Sequence, residues 1–393
     1  MAPLLTLEEA QERVLGHTRR LSVESVPIAG AGGRVTAEDV RARVDLPPFA
    51  SSAMDGFAVR AADLPGTLRI VGESAAGSPF GGPLEAGTAV AISTGAVVPE
   101  GADAVVPIEN VGRQDNTVSI TGSSEPGAHV RPRGGDVAAG EIVVPTGVTL
   151  TPARLAAAAA SGVAELSCVR RPRVTVLATG SELVEPGGSL RPGQIYETNS
   201  LMLSTALAAA GAEVVTRRPV ADDEAALRET LERALAADVL VTSGGVSVGE
   251  HDLVRRLLAE LGAVEVFWRV AVKPGKPVAF STRGSTLVFG LPGNPVSSFV
   301  GFELFVRPAL AALQGSSEPR PAFLPGQLGG SLLRNPARDE LVRARIENGG
   351  IVQPLRGQES HMIARAARAN ALVLVPRGDG ELAAGSAVSW LPL

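Results

Sequence analysis

Sulfur chemistry is almost absent from this chain. Cys168 is its single cysteine, so no disulfide can close within it and no cysteine-rich zinc site can form, as expected for a reducing compartment. Aromatic residues make up only 3% of the sequence, too few for the stacked platforms that bind single-stranded nucleic acid. A formal charge of −5 gives no general attraction to nucleic acid or to an anionic membrane. The four histidines (His17, His129, His251, His361) are scattered, and no HExxH occurs. No unbroken apolar run reaches membrane-spanning length. The N-terminus has no basic-then-apolar leader; Thr6-Leu7-Glu8-Glu9 is instead a capping box that opens an amphipathic helix. The expectation is a cytoplasmic protein with no nucleic-acid and no membrane partner.

Several catalytic signatures are also missing. Without GxxxxGK[ST] the chain is not a P-loop nucleotidase, and without GxGxxG after a strand it has no Rossmann dinucleotide site. No GxSxG elbow is present and Cys168 has no evident activating neighbour, which disfavours covalent catalysis.

What remains is 393 residues, 45% hydrophobic, enough for several cores. A helix is predicted over residues 7–21. Residues 45–58 contain Pro47-Pro48, Ser51-Ser52 and Asp55-Gly56, an extended and then tightly turned loop. Short β-like runs separated by Gly, Pro and Asp turns follow to about residue 147 and predict a small middle β domain. Thr151-Pro152 caps an alanine-rich helix. From residue 170 strands and helices alternate for some 140 residues, which predicts a doubly wound, mostly parallel sheet. After a linker at 316–319, short β-like runs return. The expected division is 1–44 plus 140–169 (helical, linking), 45–139 (middle β), 170–316 (α/β) and 317–393 (C-terminal β).

The most unusual stretch is 237–252. The apolar run Val239–Val241 breaks into Thr242-Ser243-Gly244-Gly245-Val246-Ser247-Val248-Gly249 and then Glu250-His251-Asp252. A strand, a glycine turn and a helix start together form an anion-binding arrangement, because the turn and first helical N–H groups are unpaired. Thr179-Gly180-Ser181-Glu182 and Pro292-Gly293-Asn294-Pro295 also follow strands, and Lys273-Pro274-Gly275-Lys276-Pro277 follows an extended segment. An ordinary βα turn could look like any one of these. Four at the ends of strands point to a small-molecule crevice, since open parallel sheets carry their ligands there.

Lys273, Lys276 and Arg269 are suited to phosphate or another oxyanion. Glu182, Asp222, Glu250 and Asp252 offer hard oxygens. Two carboxylates ~4 Å apart repel by about 4 kcal/mol at an effective dielectric of 20, so a gathered set calls for a divalent cation. Oxygen donors without His or Cys favour Mg²⁺ over zinc. Asp223 and Glu224 read as solvated helix-start acids, and His251 as a loop residue.

Pro47–Ala58, Ser93-Thr94-Gly95-Ala96, Arg133-Gly134-Gly135-Asp136, Thr179–Leu183, Thr242–Gly249, Lys273–Pro277 and Leu291–Pro295 occur in an order and spacing that resembles the MoeA family. These are the molybdopterin molybdenumtransferases, to which the C-terminal part of gephyrin is similar. The resemblance covers essentially the whole chain and is least specific in the first ~25 and last ~75 residues. It implies Mg²⁺-dependent insertion of molybdate into adenylated molybdopterin with release of AMP. It also implies a homodimer whose site lies between subunits, and an adenylyltransferase that supplies the substrate.

By motif, the resemblance places Glu182 and Asp222 in the crevice and Asp252 with the glycine turn at the nucleotide–phosphate end. Mg²⁺ would then bridge Glu182, Asp222 and Asp252 to the pyrophosphate. Arg269 and Lys273 would meet molybdate or phosphate, Pro292 and Pro295 would shape their loop, and Asp55, Thr94 and Asp136 would come from the partner subunit. Ser181, Arg269, His251 and Leu253 depart from frequent family choices. Two other readings are molybdopterin adenylylation, disfavoured by the extra domains, and a non-catalytic scaffold, disfavoured because Asp55, Asp136, Glu182, Asp222 and Asp252 are all present.

Overall fold

The computed structural model describes residues 4–216, 223–244, 253–347 and 350–393. It comprises two compact units: Met1–Glu24 with Gly33–Ala37 and Cys168–Leu393, and Ser25–Gly32 with Glu38–Ser167.

The first unit is built on six strands: β1 Arg173–Ala178, β2 Glu213–Thr216, β3 Val239–Ser243, β4 Val264–Trp268, β5 Ala279–Arg283 and β6 Thr286–Leu291. Their spatial order is β2-β1-β3-β6-β5-β4. The first four are parallel, and β5 and β4 extend the sheet antiparallel. Successive residues of β3 bury on opposite faces. Val239 and Val241 pack with Leu203 and Leu207 of the helix Asn199–Ala209, while Leu240 packs with Leu227 and Leu231 of Glu224–Ala234 and Leu257 of Leu253–Glu260. Two covered faces are why these strands read as unbroken apolar runs.

Between Pro277 and Thr286 no apolar run or clean alternation announces β5. β5 turns into β6 through Gly284-Ser285, a two-residue loop whose first position has φ +59°. That conformation favours glycine and matches the twist of a hairpin.

The N-terminal helix is Leu7–Gly16, shorter than predicted, with the Thr6/Glu9 capping box formed in both directions. It buries Leu7, Ala10 and Val14 in the first unit's core. Gln11 is also buried on this helix, and the reason lies in the long helix Pro295–Leu313. Pro308 has no N–H to donate to the Leu304 carbonyl four residues back. Residues Phe302–Val306 open into a π turn, and Gln11 Nε2 donates to Leu304 O at 3.0 Å. The helix is apolar and long enough to span a bilayer, but 78% of its apolar window is buried in the fold.

The C-terminal strands Leu324–Leu328, Asp339–Ile346, Ile351–Pro354, Ala371–Val375 and Ala387–Pro392 close on themselves through the pairing of Asp339–Ile346 with Ala371–Val375. This small barrel has its own core of Leu328, Val342, Val352, Val373 and Val388. Val272–Lys273 joins its edge beside Asp339-Glu340.

The second unit carries another six-stranded sheet, in the order Ala104–Pro107, Gly56–Val59, Thr88–Ile92, Gly66–Ser74, Thr117–Ile120, Gly112–Gln114. Phe57 and Val59 bury on one face and Ala58 on the other. Gly56 permits the tightest approach, since a Cβ there would lie 2.1 Å from the Val106 carbonyl oxygen.

One ion pair ties the α/β sheet together at its N-terminal edge. Arg170 donates to both carboxylate oxygens of Asp238 at 2.7 Å, and the Arg173 N–H donates to it at 2.8 Å. Burial alone would raise the Asp238 pKa, but the hydrogen bonds from Arg170 and Arg173 and their charges outweigh it and hold the group below the usual range. Arg170→Met is expected to cost about 2–3 kcal/mol at neutral pH. That is less than the 3–5 kcal/mol of a fully buried pair, because solvent reaches both partners. A depressed folded pKa means the contribution is present above about pH 4 and is lost as pH falls through the folded value. Urea midpoints of parent and variant should therefore differ at pH 7 and draw together as the pH falls through the depressed folded value. An unchanged gap would count against this account.

Candidate functional site

The parallel register sets Ala178, Ser243 and Leu291 level with one another at the C-terminal ends of β1, β3 and β6. Beyond them the ladder continues for one more step. Thr179 N–H donates to Ser243 O at 3.2 Å, and Gly244 N–H donates to Leu291 O at 3.1 Å. Gly244 has φ +91°, and a Cβ there would stand 2.7 Å from Thr179 O, so only glycine lets the loops approach. Asn199 opens the helix behind them. Its Nδ2 donates to Ser243 Oγ at 2.8 Å and to Gly293 O at 2.7 Å, while its buried Oδ1 has no partner among the described residues.

Between these loops lies a cleft of about 920 Å³. It is lined by Thr179, Gly180, Glu182, Ser243, Gly244 and the Pro292-Gly293-Asn294-Pro295 turn, so the structure brings these sequence-predicted residues together. Gly180 has φ +154°, and a Cβ on it would fall 2.6 Å from Glu182 Oε2; the carboxylate folds back over its own loop. Glu182 is exposed and pairs with no described side chain. The predicted Asp222, Gly245, Ser247, Gly249, Glu250, His251 and Asp252 lie outside the described residues.

The predicted cations sit elsewhere. Lys273 belongs to the strand that joins the barrel, and its Nζ donates to Glu340 Oε1 at 2.9 Å. Arg269 follows β4 with φ +75° and stacks on Trp268, 3.6 Å from the ring centre. Lys276 is exposed, and Pro277 next to it reaches the cleft. Among the described residues the cleft lining contains no Lys or Arg. No cluster of three or more His, Cys, Asp or Glu residues arranged for a metal occurs among them either.

Asp55, Thr94 and Asp136 lie in the second unit. Thr94 donates to Asp55 Oδ1 through its N–H at 2.6 Å and its Oγ1 at 2.9 Å. These bonds, the backbone one foremost, hold the Asp55 carboxyl below its usual range. Asp136 is exposed, and its N–H donates to Leu46 O.

Sequence reasoning missed Tyr196, Glu197, Asn199 and His361, which also line the cleft. Glu197 caps the helix by accepting from the Ser200 N–H at 2.9 Å, and an Asn at a helix start after a polar turn was a usable signal. His361 comes from the barrel, far along the chain, and no local pattern announces it.

Residues 5–162 match the MoeA N-terminal region (domain I and II), 175–312 the probable molybdopterin binding domain, and 325–393 the MoeA C-terminal region (domain IV). The chain is 37% identical to the molybdopterin molybdenumtransferase of Haemophilus influenzae, over 99% of this chain and 98% of that one. It is 39% identical to molybdopterin molybdenumtransferase 2 of Mycobacterium tuberculosis, over 97% and 98%. The structure is similar to the MoeA protein of Pyrococcus horikoshii OT3, with a TM-score of 0.85, 29% identity and coverage of 99% of this chain and 100% of that one. With this likeness running the length of the chain, the protein belongs to the MoeA family of molybdopterin molybdenumtransferases and is an enzyme of molybdenum cofactor biosynthesis.

Proposed function

We propose that this enzyme binds adenylated molybdopterin in the cleft beyond β1, β3 and β6, inserts molybdenum from molybdate at the dithiolene, and releases AMP with Mg²⁺. The convergence of three loops at one level of the sheet, with Glu182 exposed among them and paired with no described side chain, carries this reading. The glycine turns offer N–H groups to phosphate, and the cleft volume falls in the range of small-molecule sites.

Mg²⁺ is bound through one or two carboxylates, substrate phosphates and retained waters. Glu182, exposed, without a partner among the described side chains and beside a glycine turn, fits as one such ligand; Asp222 and Asp252 are the other two proposed. When bound, the ion would neutralise charge on the phosphates and the leaving AMP. The chain's own residues shape the cleft. Gly180 and Gly244 let the loops close, Ser243 and Asn199 fix them, and Thr179 and the Pro292–Pro295 turn form the walls. Arg269, Lys273 and Lys276 stay proposed for oxyanions that approach along the barrel side.

In this reading the enzyme is a cytoplasmic homodimer. The domain at 45–139 of one subunit supplies Asp55, Thr94 and Asp136 to the 170–316 domain of the other, and an adenylyltransferase supplies the substrate. The Thr94 hydrogen bonds support a working role for Asp55, since they fix the orientation of its carboxylate.

The direct test mixes the protein with adenylated molybdopterin, Mg²⁺ and molybdate and measures AMP and active cofactor. If neither forms, the proposal fails; turnover of molybdopterin with ATP by this chain alone would favour adenylylation. Glu182→Gln should lower AMP release about 100-fold or more while leaving stability within about 0.5 kcal/mol, because the side chain is exposed and unpaired. A stable but fully active variant would remove Glu182 from the chemistry. Asp55→Ala and Glu182→Ala should each be inactive alone. Mixed dimers should recover about a quarter of parent activity, since random pairing makes half the dimers mixed and each has one intact site. No recovery would place both residues in one subunit's site.

A further inference from the structure

Directly after Glu182 the chain leaves the sheet, makes a flap and returns. Leu183–Val184 and Ile195–Tyr196 pair in parallel at its base, with Val184 opposite Tyr196. The intervening loop bends at Gly187 (φ +94°) and Gly193 (φ +85°). Glu197, the next residue, caps the helix Asn199–Ala209, so the base of the flap is anchored on both sides.

Tyr196 is the only tyrosine in the chain, and among the described lining residues it carries the one benzenoid ring in the cleft. Its hydroxyl donates to Gly188 O at 3.0 Å. With Cα in the strand pair and Oη on the loop, the ring is fixed in plane before any ligand arrives, so little rotamer freedom is left to lose on binding. Even so, Tyr196 is 43% exposed, and Ile195 and Leu190 on the same flap are 55% and 44% exposed. Elsewhere the described walls are glycine, hydroxyl, amide and carboxylate groups, aliphatic and proline side chains, and the smaller imidazole ring of His361, so Tyr196 offers the broadest flat face among them.

We propose that Tyr196 is a stacking platform for a flat heteroaromatic ring of the substrate and thereby sets specificity at this cleft. The inference rests on the reading that the cleft takes adenylated molybdopterin, a ligand with two such rings, pterin and adenine. Stacking on an aromatic side chain is the interaction that recognises a ring by its face. Because it is uncharged, this contribution is insensitive to salt, unlike phosphate contacts.

The test titrates the full-length protein with 6-hydroxymethylpterin, followed by quenching of pterin emission, and separately with AMP by equilibrium dialysis. Parent, Tyr196→Ala and Tyr196→Phe are compared at two salt concentrations. Tyr196→Ala should weaken one of the two ligands about tenfold at both salts, and Tyr196→Phe should restore it to within about twofold. Loss in the pterin arm alone identifies the pterin ring as the stacked group; loss in the AMP arm alone identifies adenine. If Tyr196→Phe binds as poorly as Tyr196→Ala, the hydroxyl pin to Gly188 is what matters and stacking is overturned. Equal binding by all three proteins overturns it too. If the parent binds neither ligand, the substrate reading itself fails and this inference falls with it.

Discussion

The cleft depends on one amide. Parallel register alone brings Ala178, Ser243 and Leu291 to the same level, but loops leaving adjacent strands diverge unless something holds them. Asn199 does so by donating from one nitrogen to Ser243 Oγ on β3 and to Gly293 O in the turn after β6. Gly244 makes this possible by letting Thr179 O come within the space a Cβ would fill. The cost is a buried Oδ1 left without a partner among the described residues, a penalty on the order of 1–3 kcal/mol. Unpaired groups of that kind concentrate where a fold has been shaped for a ligand rather than for stability.

Charge follows the same architecture. An anionic substrate would lead one to look for lysine and arginine in the walls, and the sequence supplies them nearby. Yet Lys273 is drawn into the barrel's edge strand and paired with Glu340, and Arg269, turned by its positive φ, lies flat on Trp268. The described cleft offers glycine turns and the exposed Glu182 carboxylate instead. A carboxylate facing a phosphate is repulsive on its own and attractive through a divalent cation, which is why the proposed chemistry includes Mg²⁺.

The sheet was legible in sequence because both of its faces are buried, which leaves continuous branched apolar runs at Val174–Ala178, Val239–Val241 and Thr286–Leu291. β5 was not, although Gly284-Ser285 is a hairpin signal; Ala279–Arg283 neither alternates cleanly nor forms an apolar run. The N-terminal helix was over-extended past Gly16 because Leu21 fits the helical period. In the site, the loops announced themselves through glycine and proline, residues that mark backbone geometry. Tyr196, Asn199 and His361 stayed hidden because each matters through what it touches across the fold, and contact with a distant segment has no local signature. The pairing of Lys273 was hidden for the same reason: its partner Glu340 is 67 residues away.

That partnership shows why the barrel belongs to the enzyme and is not an appendage. Arg343 is buried in the barrel, and burial lowers its pKa. Its Nη2 donates to Gly357 O at 2.7 Å, while Gln358 bonds the Arg343 backbone on both sides, accepting from its N–H and donating to its carbonyl. A turn held this firmly can brace what it touches. Ser360, at its end, accepts from Asn294 Nδ2 at 2.9 Å through Oγ and from the Val296 N–H at 3.1 Å through its carbonyl. The Pro292–Pro295 turn is thus pinned from the sheet side by Asn199 and from the barrel side by Ser360. A loop fixed at one end could pivot about that point, and a loop fixed at both cannot. The barrel therefore shares in setting the width of the cleft, and His361, which it places in the wall, arrives on the same braced turn.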